Sequence, residues 1–338
     1  VIGTCVGIGQ GHLNIRENTY DWVIIDEAAR SQSGELAIAM QSGKRVLLVG
    51  DHHQLPPNYS PEQKNVIARK LGISLAYGNY DEIDNLLKSD FDRAFNSSYG
   101  QQASESLWTQ YRMATPIGNL VSEIFYKGKL ESSGRTISQH YEQTADVLRS
   151  TVTWVDTSDM GHDAFHSEVK QNRGKIRNKE EAKAIMTILK RIAEDDALIN
   201  YLNSVRKTDA AIGVICMYAE QKRYLQQLFN QNAWPEGFKD LVNIDTVDSY
   251  QGKENRIIIV SITRSDKSNT PGFMIMPNRI NVALSRAMDR LIVVGNKNVW
   301  TGRNRDLPFG KVVKHMEEKG IDEGYRFVFS KTLKGEMV

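Results

Sequence analysis

The 338-residue chain has two cysteines, no apolar run on the scale of a membrane span, and almost no charge imbalance. Cys5 and Cys216 are too few and too distant to build a disulfide framework, which fits a reducing, intracellular compartment, cytoplasmic or nuclear. A membrane helix would need roughly 18 or more consecutive apolar residues. The stretch Val1 to Gly11 lacks the basic start and long apolar core of a signal peptide. Formal net charge is only +2, so composition barely favours an anionic partner, although a local basic stripe would be hidden in that sum. The most consequential absence is the phosphate loop, G-x-x-x-x-G-K-[ST]. Gly-Lys pairs occur at Gly43-Lys44, Gly128-Lys129, Gly174-Lys175, Gly252-Lys253 and Gly310-Lys311, and none is followed by Ser or Thr.

What is present is an ordinary globular composition, 40% apolar and 25% charged. The length predicts about two domains of roughly 150 residues each. Tyr20 to Asp26 and Arg45 to Asp51 are short apolar runs ending in an acid. They read as strands of a parallel sheet covered on both faces, with Asp26 and Asp51 at the carboxyl ends, where ligands of such sheets bind. From Asn58 to about Gln102 the pattern turns polar, with helices expected over 61–71 and 80–95. Strands are expected at 107–110, 152–156, 212–216, 242–246, 257–262 and 291–294, alternating with helices, so 103–300 reads as an α/β lobe. Asn178 should cap a helix in capping-box fashion with Glu181. His162 to Arg177 reads as a loop, and residues 301–338 as a tail with one short helix.

Chemistry concentrates in a few segments. Asp26-Glu27 at a strand end can hold Mg²⁺ and accept a proton from an attacking water. A helix-capping acidic pair is the plain alternative. In Gly50-Asp51-His52-His53-Gln54-Leu55-Pro56-Pro57, Asp51 can stand near the metal and Gln54 can orient water or report the γ-phosphate. Arg112 and Arg286 are candidates to stabilise the charge that phosphoryl transfer spreads over the γ-phosphate, against a plain reading as surface ion pairs. In Thr246 to Glu254, Gly252 allows close backbone approach and Glu254 can bind a ribose hydroxyl. Thr246, Ser249 and Gln251 can bond the phosphates of a strand. A polar glycine turn is the commoner use of such residues. The histidines of His162-Asp163-Ala164-Phe165-His166 stand four apart, but no third ligand is apparent. The five tryptophans (Trp22, Trp108, Trp154, Trp234, Trp300) are better read as packing than as base-stacking groups.

Taken in order, these segments resemble superfamily 1 (SF1B) helicases, close to the up-frameshift RNA helicase group. The resemblance rests on Asp26-Glu27-Ala28-Ala29, Gly50-Asp51-x-x-Gln54-Leu55, Gln110-Tyr111-Arg112-Met113, Thr246-Val247-Asp248 to Glu254, and Asn281-Val282-Ala283-Leu284-Ser285-Arg286-Ala287. Thr4-Cys5-Val6-Gly7-Ile8-Gly9 is similar to a nucleic-acid contact segment of the family, and Ile124 to Leu130 to the phrase after its first arginine. The resemblance implies two RecA-like lobes with parallel sheets, ATP and Mg²⁺ bound between them, and single-stranded RNA or DNA across both, with 5′ to 3′ movement. It divides the chain into 1–57, the carboxy-terminal part of a first lobe, 58–102, a mainly helical linker or insertion, 103–300, a complete second lobe, and 301–338, the tail. By motif, Glu27, Gln54, Arg112 and Arg286 are catalytic. Asp26, Asp51, Gly252 and Glu254 bind nucleotide, Asp26 through the metal. Thr4, Tyr218, Thr246 and Ser249 meet nucleic acid.

The resemblance also implies a carboxy-terminal portion of a larger motor, partnered by an amino-terminal part of the same protein that brings the phosphate loop. Arg30 stands where the family often has Gln, Ala114 where it has His, and Cys216-Met217-Tyr218 where it has Thr-Pro-Tyr. Tyr218 and Gln221 are kept. Two other readings are a non-catalytic nucleic-acid scaffold and the helicase part of a nuclease-fused repair enzyme.

Overall fold

The computed structural model describes residues 2–10, 15, 19–73, 83, 86–141, 144, 146–169, 172–206 and 210–335. The chain divides into two compact units, Val1–Ser106 and Leu107–Val338.

In the first unit, strands β1 (Tyr20–Ile25) and β2 (Gly43–Leu48) pair in parallel with Ile25 opposite Leu48. The crossover is the helix Ser33–Met40, closed at its start by a reciprocal capping box between Gln32 and Glu35. Val23, Ile25, Ala28, Ala29, Leu36 and Ala39 make a small core with Phe91. Cover on both faces was expected, and only one face has it. Trp22, Ile24, Leu47 and Val49 are 55%, 66%, 46% and 42% exposed. Side chains alternate across a strand, so the crossover helix shields only one of the two sets. The helix expected over 61–71 forms as Pro61–Leu71, and it begins at a Ser60–Gln63 capping box. The helix expected over 80–95 lies partly outside the described residues, and Asp90–Phe95 is helical within it. Segment 58–102 is not a free linker, because Phe91 packs into the core of this unit.

The second unit opens with two short parallel strands, β3 (Thr109–Gln110) and β4 (Glu131–Ser132). Its main sheet is built from β5 (Val152–Asp156), β8 (Ile212–Cys216), β9 (Val242–Thr246), β10 (Asn255–Ser261), β11 (Ala287–Gly295) and β12 (Tyr325–Phe329), in the order β12-β5-β11-β10-β8-β9. Every pairing in it is parallel. Between β5 and β8 lie β6 (Ser167–Val169) and β7 (Asn172–Arg177), an antiparallel pair where a loop was expected. Both faces of the main sheet are covered. Val155, Val214, Ile257, Ile259, Ile292 and Val294 pack with the helix Lys179–Ala193 on one side. Trp154, one residue from Val155, points the other way onto Phe309, ring centroids 6.1 Å apart. Residues past 300 are therefore not a tail. Helix Pro308–Lys319 returns the chain and β12 becomes an edge strand on β5. The signal was the segment Tyr325 to Phe329, apolar but for Arg326, which needed an open edge to dock on. No described helix is long and apolar enough to cross a membrane.

The one-sided cover of β1 makes a test. Ile25→Ala should lower unfolding free energy by about 2–5 kcal/mol through the cavity it leaves. Ile24→Ala, on the bare face, should change it by about 0.5 kcal/mol or less. Equal losses in urea titrations would mean that both faces are packed.

Candidate functional site

In the first unit the acidic pair and the Gly-Asp turn come together past the ends of β1 and β2. The ladder continues beyond the strands, with Val49 N–H donating to the Ile25 carbonyl at 2.8 Å and Ala28 N–H to the Val49 carbonyl at 2.9 Å. Asp26, Glu27 and Asp51 thus share one sheet end. Asp26 Oδ1 accepts from the Glu27 amide at 2.9 Å. Asp51 accepts from the His53 amide through Oδ1 and from Gln54 Nε2 through Oδ2, both at 2.9 Å. Asp51 therefore orders the loop and holds Gln54. Glu27 lies at φ 54°, in the left-handed region. That conformation costs a non-glycine residue roughly 1–2 kcal/mol, and such outliers gather at functional sites. Thr4 caps the short helix Cys5–Ile8, its hydroxyl accepting from the Gly7 amide at 3.0 Å.

In the second unit the arginines gather at the opposite kind of sheet end. Glu254 immediately precedes β10 and Arg286 immediately precedes β11, and the Asn255 amide donates to the Arg286 carbonyl at 3.1 Å. Arg112 reaches the same place. Its Nε donates to Glu254 Oε2 at 2.6 Å and its Nη1 to the Ser285 carbonyl at 3.4 Å. Arg286 is 2% exposed and donates to the Val282 carbonyl at 3.3 Å, the Lys253 carbonyl at 3.4 Å and Ser285 Oγ at 3.3 Å. These oxygens fix the plane of the guanidinium. The Arg112–Glu254 pair is partly exposed, and pairs of that kind are worth about 1 kcal/mol or less, so a phosphate can compete for Arg112. Gly252 has φ 82° with open space where a side chain would stand. The turn, rather than tight packing, calls for glycine there.

Thr246 and Tyr218 sit at the carboxyl ends of β9 and β8. The segment Thr246 to Glu254 therefore runs from one end of the sheet to the other, and its residues serve two places. Thr246 Oγ1 lies 3.3 Å from Ser249 Oγ, and the Tyr218 ring lies 4.7 Å from that of Phe273. Behind them is a buried polar network. Gln221 accepts from the Asn178 amide at 2.8 Å and donates to the Asn178 carbonyl and to Ser261 Oγ, both at 3.1 Å. Its role is internal. Asn178 Oδ1 accepts from the Glu181 amide at 3.0 Å, which is half of the expected capping box. The return bond is replaced, because Glu181 Oε2 accepts from Ser261 Oγ and from the Thr263 amide, both at 2.7 Å. Burial pushes the Glu181 carboxyl up to about 8, against the pull of those two bonds. The same burial, with Glu181 nearby, pushes the Cys216 thiol up. His166 Nδ1 lies 2.6 Å from the Ser265 carbonyl oxygen and 3.1 Å from the Ser265 amide nitrogen, and burial lowers its proton affinity. Among the described residues no group of three or more His, Cys, Asp or Glu could hold a metal ion.

Two models described as "AAA domain" match the chain, one over residues 86–298 and one over residues 1–60. The chain belongs to this AAA-domain family. The DNA replication ATP-dependent helicase/nuclease dna2 of Schizosaccharomyces pombe is 30% identical to this AAA-domain chain over 316 residues, covering 90% of the chain and 20% of the relative. The ATP-dependent helicase upf1 of the same organism is 30% identical over 324 residues, covering 94% and 30%. The arterivirus nonstructural protein 10 helicase, solved in complex with DNA, matches at a TM-score of 0.35 and 14% identity, covering 82% of this chain and 40% of that one. The chain spans 19–30% of the length of the first curated relatives it matches.

Sequence reading missed three features of this AAA-domain chain. Glu181 was taken for a helix cap, and its burial under β10 is what changes its role. Phe273 and Arg279 drew no notice, although the cation sits 4.9 Å from the ring centre. A hint lay in the turn and helix start around them, Gly272-Phe273 and Pro277.

Glu181 gives a pH test. The native carboxyl keeps its proton up to about pH 8, whereas the unfolded one loses it near 4.5. The native state therefore binds more protons in that window, and stability should fall as pH rises through it. Glu181→Gln should flatten the fall in melting temperature between pH 5 and 8. Parallel pH profiles for the two proteins would mean that Glu181 is ionised when folded.

Proposed function

We propose that this chain supplies part of the catalytic and strand-gripping machinery of an ATP-driven helicase or translocase, acting 5′ to 3′ on single-stranded RNA or DNA inside the cell. The observation that carries the reading is the meeting of Arg112, Glu254 and Arg286 at one sheet end, with Arg112 separated from Glu254 by 142 positions and from Ser285 by 173. A surface ion pair would not need a buried, carbonyl-held guanidinium beside it.

In this reading Glu27 accepts the proton of the attacking water. Gln54, held by Asp51, orients that water. Arg112 and Arg286 stabilise the charge on the γ-phosphate oxygens as the bond breaks. Glu254 exchanges its partner Arg112 for a ribose hydroxyl, and Gly252 lets the backbone approach the nucleotide. Asp26, with Asp51 beside it, fits Mg²⁺. Both are hard oxygen donors, and this ion is usually held by one or two carboxylates, with phosphates and water completing its shell. Bound there, the ion would neutralise phosphate charge. For the strand this reading names Thr4 in the first unit and Tyr218, Thr246 and Ser249 in the second. These 338 residues contain no phosphate-loop motif, and in this reading that loop and the adenine contact are supplied by an amino-terminal part of the same protein.

The test is ATPase of the longer protein, with single-stranded RNA and single-stranded DNA as activators. Glu27→Gln should keep nucleotide binding and lower turnover by about 100-fold or more. Arg286→Ala should lower it by roughly 1000-fold. Turnover that survives Glu27→Gln removes Glu27 as the base, and turnover that survives Arg286→Ala removes the arginine role. A second reading, the helicase part of a nuclease-fused enzyme, is favoured because several relatives are named helicase/nuclease. Nuclease activity of the longer protein that persists in Glu27→Gln would support it.

A further inference from the structure

At the carboxyl end of the second unit's sheet, neighbouring strands deliver two side chains side by side. Tyr218 follows β8 and Arg264 follows β10, and these strands pair with Cys216 opposite Ser261. A loop then folds back over both. A Cβ on Gly272 would stand 3.0 Å from the Tyr218 hydroxyl and 3.2 Å from Arg264 Cδ, and Gly272 has φ 60°. Only glycine fits that approach and that backbone. The loop brings Phe273 to 4.7 Å from Tyr218, the two rings inclined at 50°, and the Arg279 guanidinium to 4.9 Å from the Phe273 ring centre. Both rings are partly exposed, and Ile275 and Met276 next to them are 52% and 47% exposed.

The placement of Arg264 is held under strain. Thr263 has φ 72°, and the Arg264 amide donates back to the Ile262 carbonyl at 2.8 Å, a γ-turn of the rare positive-φ kind. A β-branched residue in that region is a true outlier. The turn persists because its backbone is gripped from below. Glu181 Oε2 accepts the Thr263 amide at 2.7 Å, and Asn178 Nδ2 donates to the Thr263 carbonyl at 3.3 Å. Strain that a buried network over-determines is a mark of function, and here it aims Arg264 at Tyr218.

We propose that Phe273, Tyr218 and Arg264 form a seat for one base of a single-stranded nucleic acid, with Arg279 on an adjoining phosphate. This rests on the nucleic-acid reading above and names the groups that would carry it. Aromatic faces and guanidinium planes are the surfaces on which unpaired bases stack, without regard to sequence. The arginines have acidic neighbours, Asp266 at 3.7 Å from Arg264 and Asp248 at 3.3 Å from Arg279. Partly exposed pairs of this kind are weak, so a phosphate can displace either carboxylate. Asp248 lies between Thr246 and Ser249 in sequence, which joins the seat to the polar pair already assigned to the strand.

The 338-residue chain itself can be tested by fluorescence anisotropy with labelled oligo(U) and oligo(dT), and its fold followed by circular dichroism. Phe273→Leu keeps bulk but loses the aromatic face, and should weaken binding by roughly 5- to 100-fold with little change in salt dependence. Arg264→Gln should also weaken binding, and Arg279→Gln should reduce the slope of log affinity against log salt by about 0.7. Folded Phe273→Leu protein with unchanged affinity overturns the seat, leaves the nucleic-acid reading standing, and turns the exposed Ile275–Met276 surface over to a protein partner. If Phe273→Leu does not fold, unchanged affinity in folded Arg264→Gln overturns the seat instead. Failure of the unsubstituted chain to bind either strand removes the nucleic-acid reading and the seat with it.

Discussion

Parallel pairing of β10 with β11 is the constraint on which the second unit's chemistry depends. Ile257 to Val260 and Leu291 to Val294 are fully buried. Burying each such side chain contributes about 1.5–3 kcal/mol. Because the pairing is parallel, the segments that lead into the two strands arrive at the same end of the sheet. Glu254 and Arg286 are the last residues of those segments, and the Asn255–Arg286 backbone bond ties them together. Arg112 then needs only to reach one small region to meet both.

The other end of the sheet works by a different principle. Its geometry comes from a buried polar network, in which Asn178, Gln221, Ser261 and Glu181 exchange hydrogen bonds beneath the surface. An acid buried with both lone-pair sets short of partners would be costly, and this one responds by holding its proton and spending one oxygen on two donors. One of those donors is the amide of Thr263, at the strained turn. Polar residues that look dispensable in composition thereby decide where the exposed residues stand.

The first unit shows the same economy on a smaller scale. Asp51 accepts both a backbone amide and the Gln54 side chain, so one carboxylate sets the loop and the glutamine together. Beside it, Glu27 is kept in a left-handed conformation between β1 and a short turn. The apolar face of β1 and β2 that stays open is the counterpart of this arrangement, since two strands and one crossover helix bury a single side.

Much of this was legible in the order of residues. Apolar runs ending in Asp26 and Asp51 announced strands with acids at their tips, and Asn178 and Pro277 announced helix starts, because these signals are local. The pairing of Arg112 with Glu254 could be expected only from resemblance, since nothing local links positions so far apart. β12 was overlooked for a related reason: a five-residue run becomes a strand only when an edge such as β5 is free to receive it. The sequence by itself determined which segments fold into which elements and which chemical groups they carry. Tertiary structure alone decided that Glu181 is a buried anchor, that Gln221 faces inward, and that Phe273 meets Tyr218. Burial and long-range contact are properties of the packed chain, and residue spacing does not encode them.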